Sequence, residues 1–125
     1  MVARVQNNGL ARITTLLAAA AWHLQWGTGS AAAASANVVT TTTTTEARVA
    51  ATTSQQTTTV TNDTMRLTGT ITAAGARSIT EIGAFDAAGS GSPPTGGNMN
   101  IYADFGVITL ASADSIAFTV DTKFA

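Results

Sequence analysis

The segment from Ser115 to Lys123 alternates between apolar and polar side chains with a period of two. Ile116, Phe118 and Val120 are the apolar positions. Because successive side chains of a β-strand point to opposite faces of a sheet, this alternation predicts a strand with one buried face. The same period recurs at Met65–Ile71 and Met99–Phe105. A chain with several such strands must bury their apolar faces against a second layer.

Other segments extend this pattern. The stretch from Ser78 to Asp86 is predicted to be a strand, although Ile79 and Ile82 lie three residues apart. A β-bulge near Thr80 and Glu81 would place both isoleucines inside. Residues 55–61 predict a further strand, which ends at a turn at 62–63, and 113–114 predicts a second turn.

The N-terminal region has a different period. Leu10, Ile13 and Leu17 recur at helical spacing, and the four alanines that follow favour a helix. Asn8 is a suitable N-cap, because its side-chain oxygen can accept a hydrogen bond from a free backbone N–H. We therefore expect an amphipathic α-helix over residues 8–21.

These elements predict one mainly-β domain over residues 1–125. Residues 22–125 are expected to form an antiparallel β-sandwich of about seven or eight short strands, with the helix covering one end or edge. Within it, the Ala/Thr-rich segment 31–45 is expected to be extended, since threonine is β-branched. The Gly/Ser/Pro-rich segment 89–97 is expected to be an exposed loop.

Charged residues make up only 10% of the 125 residues, and the net charge is −1. A surface of hydroxyl and methyl groups has few charges to keep other proteins away. Such a surface suits a chain that is packed against copies of itself or against a partner. The basic residues are scattered singly, so we expect no nucleic-acid partner. No run approaches the roughly 18 apolar residues of a membrane span, so we expect no membrane partner.

The sequence offers no arrangement typical of catalysis. His23 is the one histidine, and there is no cysteine, so a zinc site cannot be assembled from the usual ligands. The seven carboxylates are dispersed and show no calcium-loop pattern. The glycines of 89–97 lack the Lys-Ser/Thr ending of a phosphate-binding loop. We therefore predict a chain that is not an enzyme and holds no cofactor or metal.

Two groups of residues are candidates for binding. Trp22 and Trp26 share a face with Leu24, and they could anchor a core or a protein interface or form a stacking platform for a sugar. The candidate protein–protein contact residues are Trp22, Trp26, Thr40, Thr41, Thr42, Thr43, Thr44, Thr45, Pro93 and Pro94.

A family resemblance rests on five stretches taken in order. These are Asn7–Ile13, Leu24–Gly29, Glu46–Arg48, Ile79–Asp86 and Asp114–Thr119. Together they resemble small bacteriophage virion proteins, and the first four are similar to the N-terminal domain of phage tail-collar fibre proteins. The stretch Ile-Thr-Glu-Ile-Gly-Ala-Phe-Asp is the most specific of them.

The resemblance implies a structural protein of the virion, assembled in the host cytoplasm. No fibre shaft follows Ala125, so a stand-alone head decoration (cement) protein is expected. Its partner would be the major capsid protein, which the 31–45 segment would contact by strand addition. The alternative is a tail, collar, neck or baseplate component that binds another tail protein. In both cases we expect the chain to form homo-oligomers, of which a trimer is one example. The third alternative is a carbohydrate-binding module that uses the two tryptophans.

Overall fold

The computed structural model describes residues 1–29 and 44–124. Within these ranges the chain forms one helix and seven strands. In chain order they are α1 (Asn7–Ala18), β1 (His23–Gly27), β2 (Val49–Ala50), β3 (Thr52–Gln56), β4 (Thr64–Thr72), β5 (Arg77–Phe85), β6 (Met99–Leu110) and β7 (Ser115–Lys123).

The strands form two antiparallel sheets. One has the order β2-β1-β5-β6 and the other the order β3-β4-β7. Leu24 of β1, Leu67 of β4 and Ile79 of β5 are fully buried where the two sheets pack together. Gly69 of β4 lets the sheets approach closely, because a Cβ there would lie 3.0 Å from Leu24 Cδ1. The predicted mainly-β sandwich with one N-terminal helix is confirmed.

The predicted irregularity in β5 is confirmed. Ile79 pairs with Ile108 and Glu81 pairs with Asp104, so the register shifts on either side of Thr80. This shift allows Ile79 and Ile82 to be buried together.

The helix is shorter than expected and begins one residue earlier. It spans Asn7–Ala18, with Gln6 rather than Asn8 at the N-cap and no side-chain cap. At its C-terminal end Trp22 donates from Nε1 to the carbonyl oxygen of Leu17 at 2.8 Å. The Ala51 N–H bonds to the Trp22 carbonyl oxygen at 2.9 Å. The chain therefore leaves the helix because Trp22 is drawn into the sheet and the core.

The helix lies on the inner face of the three-stranded sheet, beside β3. Thr53 donates from Oγ1 to the Ala18 carbonyl oxygen at 2.8 Å, and Gln55 donates to Thr14 Oγ1 at 2.8 Å. Thr53 and Gln55 pair across the sheet with the core residues Leu67 and Met65, so all four share one face.

The prediction of a strand through Thr61 is wrong beyond Gln56. Asp63, which is fully buried, accepts hydrogen bonds from the backbone N–H groups of Thr58, Thr59 and Val60 at 2.9–3.0 Å. Burial raises the pKa of Asp63, but these bonds outweigh it and hold the pKa well below its usual range. The backbone N–H groups of this segment therefore bond to the Asp63 carboxylate. In a strand they would have bonded to a neighbouring strand.

Candidate interaction surfaces

Both tryptophans lie in the interior. Trp26 is 1% exposed and Trp22 is 6% exposed. The Trp26 ring meets Phe118 of the facing sheet edge-on, with ring centroids 6.3 Å apart. The proposed surface contact role of Trp22 and Trp26 is therefore wrong, because the face that they share with Leu24 is the inner face of the sheet. Neither indole ring is available to stack on a sugar.

The threonine run is only partly described. Thr40, Thr41, Thr42 and Thr43, with most of the 31–45 segment, lie outside the described residues. Thr44 accepts a hydrogen bond from Trp26 Nε1 at 2.9 Å and donates to the Glu46 carboxylate. Thr45 is exposed, and neither it nor Thr44 belongs to a strand. In the described part, both threonines form hydrogen bonds with side chains of other segments, Thr44 with Trp26 and Thr45 with Arg77.

Glu46 connects this segment to the turn before β5. Its carboxylate accepts hydrogen bonds from the Ala74 N–H at 2.9 Å and from Arg77 Nε at 3.0 Å. Burial of the carboxylate raises its pKa, but hydrogen bonds from Thr44 and Ala74 outweigh this and lower the pKa to about 2. Glu46 is thus ionised over the ordinary pH range and serves as a structural acceptor.

Hydrogen bonds join the two ends of the Gly/Ser/Pro-rich loop. Arg48 donates from Nη1 to the carbonyl oxygens of Ala87 and Gly96, both at 2.8 Å, so one side chain joins the two ends of the loop. Ser90 and Thr95 exchange backbone hydrogen bonds of 2.9–3.0 Å across it. A segment whose composition is typical of a flexible linker is therefore held by a buried arginine together with its own backbone hydrogen bonds.

The two prolines of this loop have different environments. Pro93 is exposed, whereas Pro94 is buried beneath the loop, where its carbonyl oxygen lies 3.5 Å from Gln25 Nε2. The expected contact role therefore has to be withdrawn for Pro94, because this residue is buried. Ser92 donates from Oγ to the Thr45 carbonyl oxygen at 3.2 Å. This bond places Thr45 beside the loop tip, and we call Ser90–Pro93 with Thr45 the loop surface.

Arg48 is an unusual anchor because it is only 8% exposed. Its guanidinium lies 3.7 Å from the centroid of the Phe85 ring and donates from Nε to Gln25 Oε1 at 2.5 Å. Burial lowers the pKa of Arg48 and the charge of Asp86 raises it. No carboxylate of the described residues forms an ion pair with it, and its Nη2 has no hydrogen-bond partner. Neutral oxygens and an aromatic face thus hold this buried charge.

The carboxylate of Glu81 also forms hydrogen bonds within the fold. Fully buried Glu81 accepts a hydrogen bond from Tyr102 Oη at 2.8 Å and one from the Gly29 N–H at 3.3 Å. Over the described ranges, no three histidine, aspartate or glutamate side chains converge on a point that could hold a metal ion.

The sandwich is open along one side. Strands β6 and β7 end their sheets, and no described strand pairs with the outer edge of either. Between them runs an apolar groove of about 340 Å³. Its lining includes Phe105 and Ile108 of β6 with Ile116, Phe118 and Val120 of β7. We call β6, β7 and this groove the open side. Sequence alternation identified both strands but carried no signal that both end a sheet.

No family model, curated protein or solved structure matches this chain. Among the described helices, none is long and apolar enough to cross a membrane.

Proposed function

We propose that this chain is a structural protein of a bacteriophage particle, a head decoration (cement) protein that binds the assembled capsid lattice. Its partner is the major capsid protein, and its place is the virion, assembled in the host cytoplasm. It acts by covering and joining neighbouring capsid subunits and carries out no chemical reaction.

The ordered loop surface is the observation that carries this proposal. Ser90, Ser92 and Pro93 are exposed at the tip of a loop that Arg48 fixes at both ends. A loop that is already ordered loses little conformational entropy when a partner binds, so more of the contact energy appears as affinity. Its hydroxyl and proline groups carry no charge, which suits a site that is desolvated on binding.

Composition and resemblance supply the setting. With 10% charged residues, the chain has a surface that can be covered with little cost of desolvating ions. The resemblance to small virion proteins is the reason for proposing a bacteriophage particle. Many copies on a symmetric lattice would turn a modest contact into firm attachment through avidity.

A tail, collar or baseplate protein is the second candidate. It is favoured by the stretch Ile79–Asp86, which resembles the fibre domain and makes up most of β5 and the residue after it, shortly before the loop. The same loop surface would then contact a tail protein. The carbohydrate-binding alternative has no support, because Trp22 and Trp26 are buried.

Binding to capsid shells tests the proposal. Purified chain is mixed with shells of the major capsid protein from the same phage, and the bound fraction is measured by co-sedimentation. We expect Ser92→Glu to weaken binding at least about tenfold, because it would place a charge in a desolvated contact. The matched control is Ser115→Glu, at an exposed position on β7, and it should bind like wild type.

Two outcomes would count against the head assignment. Wild-type chain that fails to bind shells but co-purifies with tails, in a few copies per particle, would favour the tail candidate. Equal weakening by Ser92→Glu and Ser115→Glu would exclude the loop surface as the specific contact.

A further inference from the structure

We propose that α1 is a detachable element of this chain. It leaves the three-stranded sheet as a unit and loses its helical structure, while both sheets stay folded. The hinge is the segment 19–21, between the helix and Trp22. This inference goes beyond the proposed function and does not depend on it, because it concerns the chain alone in solution.

The helix lies outside the main hydrophobic core. Among the described residues, every buried member of the core cluster lies between Trp22 and Phe118 in the sequence, so none belongs to α1. The helix adds only Leu17 to this cluster, as a partly buried neighbour. Its buried residues are Leu10 and Thr14. Because cooperative units separate where few apolar contacts join them, the two sheets can keep their shared interior when the helix leaves.

Hydrogen bonds hold the helix to β3 and to the turn before β4. Gln55 Nε2 donates to Thr14 Oγ1 at 2.8 Å, and Thr53 Oγ1 donates to the Ala18 carbonyl oxygen at 2.8 Å. Thr14 Oγ1 donates in turn to the Asn62 carbonyl oxygen at 2.6 Å. Water can replace each of these partners once the helix has left, so the net contribution of each bond is modest.

The helix has little stability of its own. Twelve residues are marginal for an isolated helix in water. Gln6 provides no side-chain cap, the first turn has no acidic residue, and the last turn has no basic residue. Gly9 lowers the helix propensity further. The hydroxyl groups of Thr14 and Thr15 both bond back to the Ala11 carbonyl oxygen, which slightly destabilises a helix. Helix formation is therefore coupled to docking.

The segment 19–21 is placed to act as the hinge. Its three alanines are exposed, whereas Trp22 is 6% exposed and bonds through its carbonyl oxygen to the Ala51 N–H at 2.9 Å. The chain is thus fixed from Trp22 onward. At the other end of the helix, residues 1–6 are all exposed. Detachment therefore moves the first twenty-one residues and leaves the sheet register unchanged.

Native-state hydrogen exchange tests the proposal on the wild-type chain. Amides of α1 should exchange at least about 100-fold faster than those of β5, which is paired on both sides by β1 and β6. Low urea concentrations should accelerate exchange in β5 much more than in α1, because local detachment exposes less surface than global unfolding. Equal exchange rates with equal urea dependence would overturn the proposal, since the helix would then leave only when the whole chain unfolds.

A variant of the docking contact provides a second test. Gln55→Ala removes the bond to Thr14 and should accelerate exchange in α1 at least about tenfold, with a much smaller change in β5. The matched control is Gln56→Ala, at the next residue of β3, whose side chain points to the opposite face and bonds to Ser54. It should leave exchange in α1 close to wild type. Equal acceleration by the two variants would overturn the docking role of Gln55.

Trypsin cleavage provides an independent measurement. Arg12 lies in α1 and Arg66 lies in β4, so each becomes cleavable only when its element opens, whereas Arg4 is always exposed. We expect cleavage after Arg12 well before cleavage after Arg66, with the β-sheet signal in circular dichroism retained. Because such cleavage follows the population of the open state, Gln55→Ala should accelerate it about tenfold and leave cleavage after Arg4 unchanged. Simultaneous cleavage after Arg12 and Arg66 would overturn the proposal.

Discussion

Arg48 donates a hydrogen bond from Nε to Oε1 of Gln25 over 2.5 Å, and both side chains are buried. Gln25 lies on β1, on the face opposite Leu24 and Trp26, and its amide nitrogen reaches toward the Pro94 carbonyl oxygen. The pair thus connects the four-stranded sheet to the 89–97 loop. The loop surface depends on this connection, since Arg48 also bonds to both ends of the loop.

Replacing Arg48 should destabilise the chain strongly. Arg48→Met keeps an apolar stem but leaves the buried Gln25 Oε1 and the partly buried carbonyl oxygens of Ala87 and Gly96 without this donor. Unsatisfied buried acceptors are costly, and we expect the free energy of unfolding to fall by about 3 kcal/mol. Urea denaturation at fixed protein concentration measures this change.

Arg66→Met is the matched control for this change. Arg66 pairs with Asp121 at 2.7 Å, but both side chains are more than one third exposed. Exposed ion pairs contribute little, so the loss should be below about 1 kcal/mol. Equal losses in Arg48→Met and Arg66→Met would show that burial of Arg48 does not set its contribution.

The turn before β4 should depend on the charge of Asp63. The Asp63 carboxylate accepts hydrogen bonds from three backbone N–H groups. In Asp63→Asn, an amide N–H₂ group, which is itself a donor, would face some of these donors. We expect a loss of about 2 kcal/mol in the free energy of unfolding, measured by urea denaturation. Asp121→Asn is the comparison, with a loss below about 1 kcal/mol. If Asp63→Asn lost no more unfolding free energy than Asp121→Asn, the proposed role of the Asp63 charge would be contradicted.

Stability should fall in acid partly through Glu46. Its pKa is about 2 in the folded chain against an ordinary value of 4.5, so the unfolded chain takes up the proton first as the pH falls. The contribution of Glu46 is therefore complete above about pH 4.5 and is lost as the pH falls toward 2. Urea titrations across this window should give a smaller slope of unfolding free energy against pH for Glu46→Gln. The same slope in both chains would contradict this prediction.

Local pattern predicted the elements whose residues carry their own signal. The alternation at Ile116, Phe118 and Val120 identified β7, and the three-residue spacing of Ile79 and Ile82 correctly indicated a register shift. The predicted ends of helices and strands were less accurate where a residue beyond the element determines where it stops. The helix ends early because Trp22 is drawn into the core, and the strand before Asp63 ends early because a carboxylate satisfies the backbone of the turn.

The loop surface could be predicted only in part. The exposed tip at Pro93 followed from the Gly/Ser/Pro composition. The order of the loop did not, because it depends on Arg48, which lies about forty residues away along the chain. Pro94 is equivalent to Pro93 in composition, yet Pro93 is exposed and Pro94 is buried, with its carbonyl oxygen near Gln25 of β1.

The sequence alone determined that this chain is a low-charge β-sandwich with one helix, because side-chain period and composition are local properties of the chain. Only the tertiary structure decided which apolar face became the interior and which strands were left at an edge. The two tryptophans were buried, while Val107 and Ile108 remained exposed on β6. Period two assigns a residue to one face of a strand, but burial depends on which strands lie beside and above it, and those contacts join distant parts of the chain.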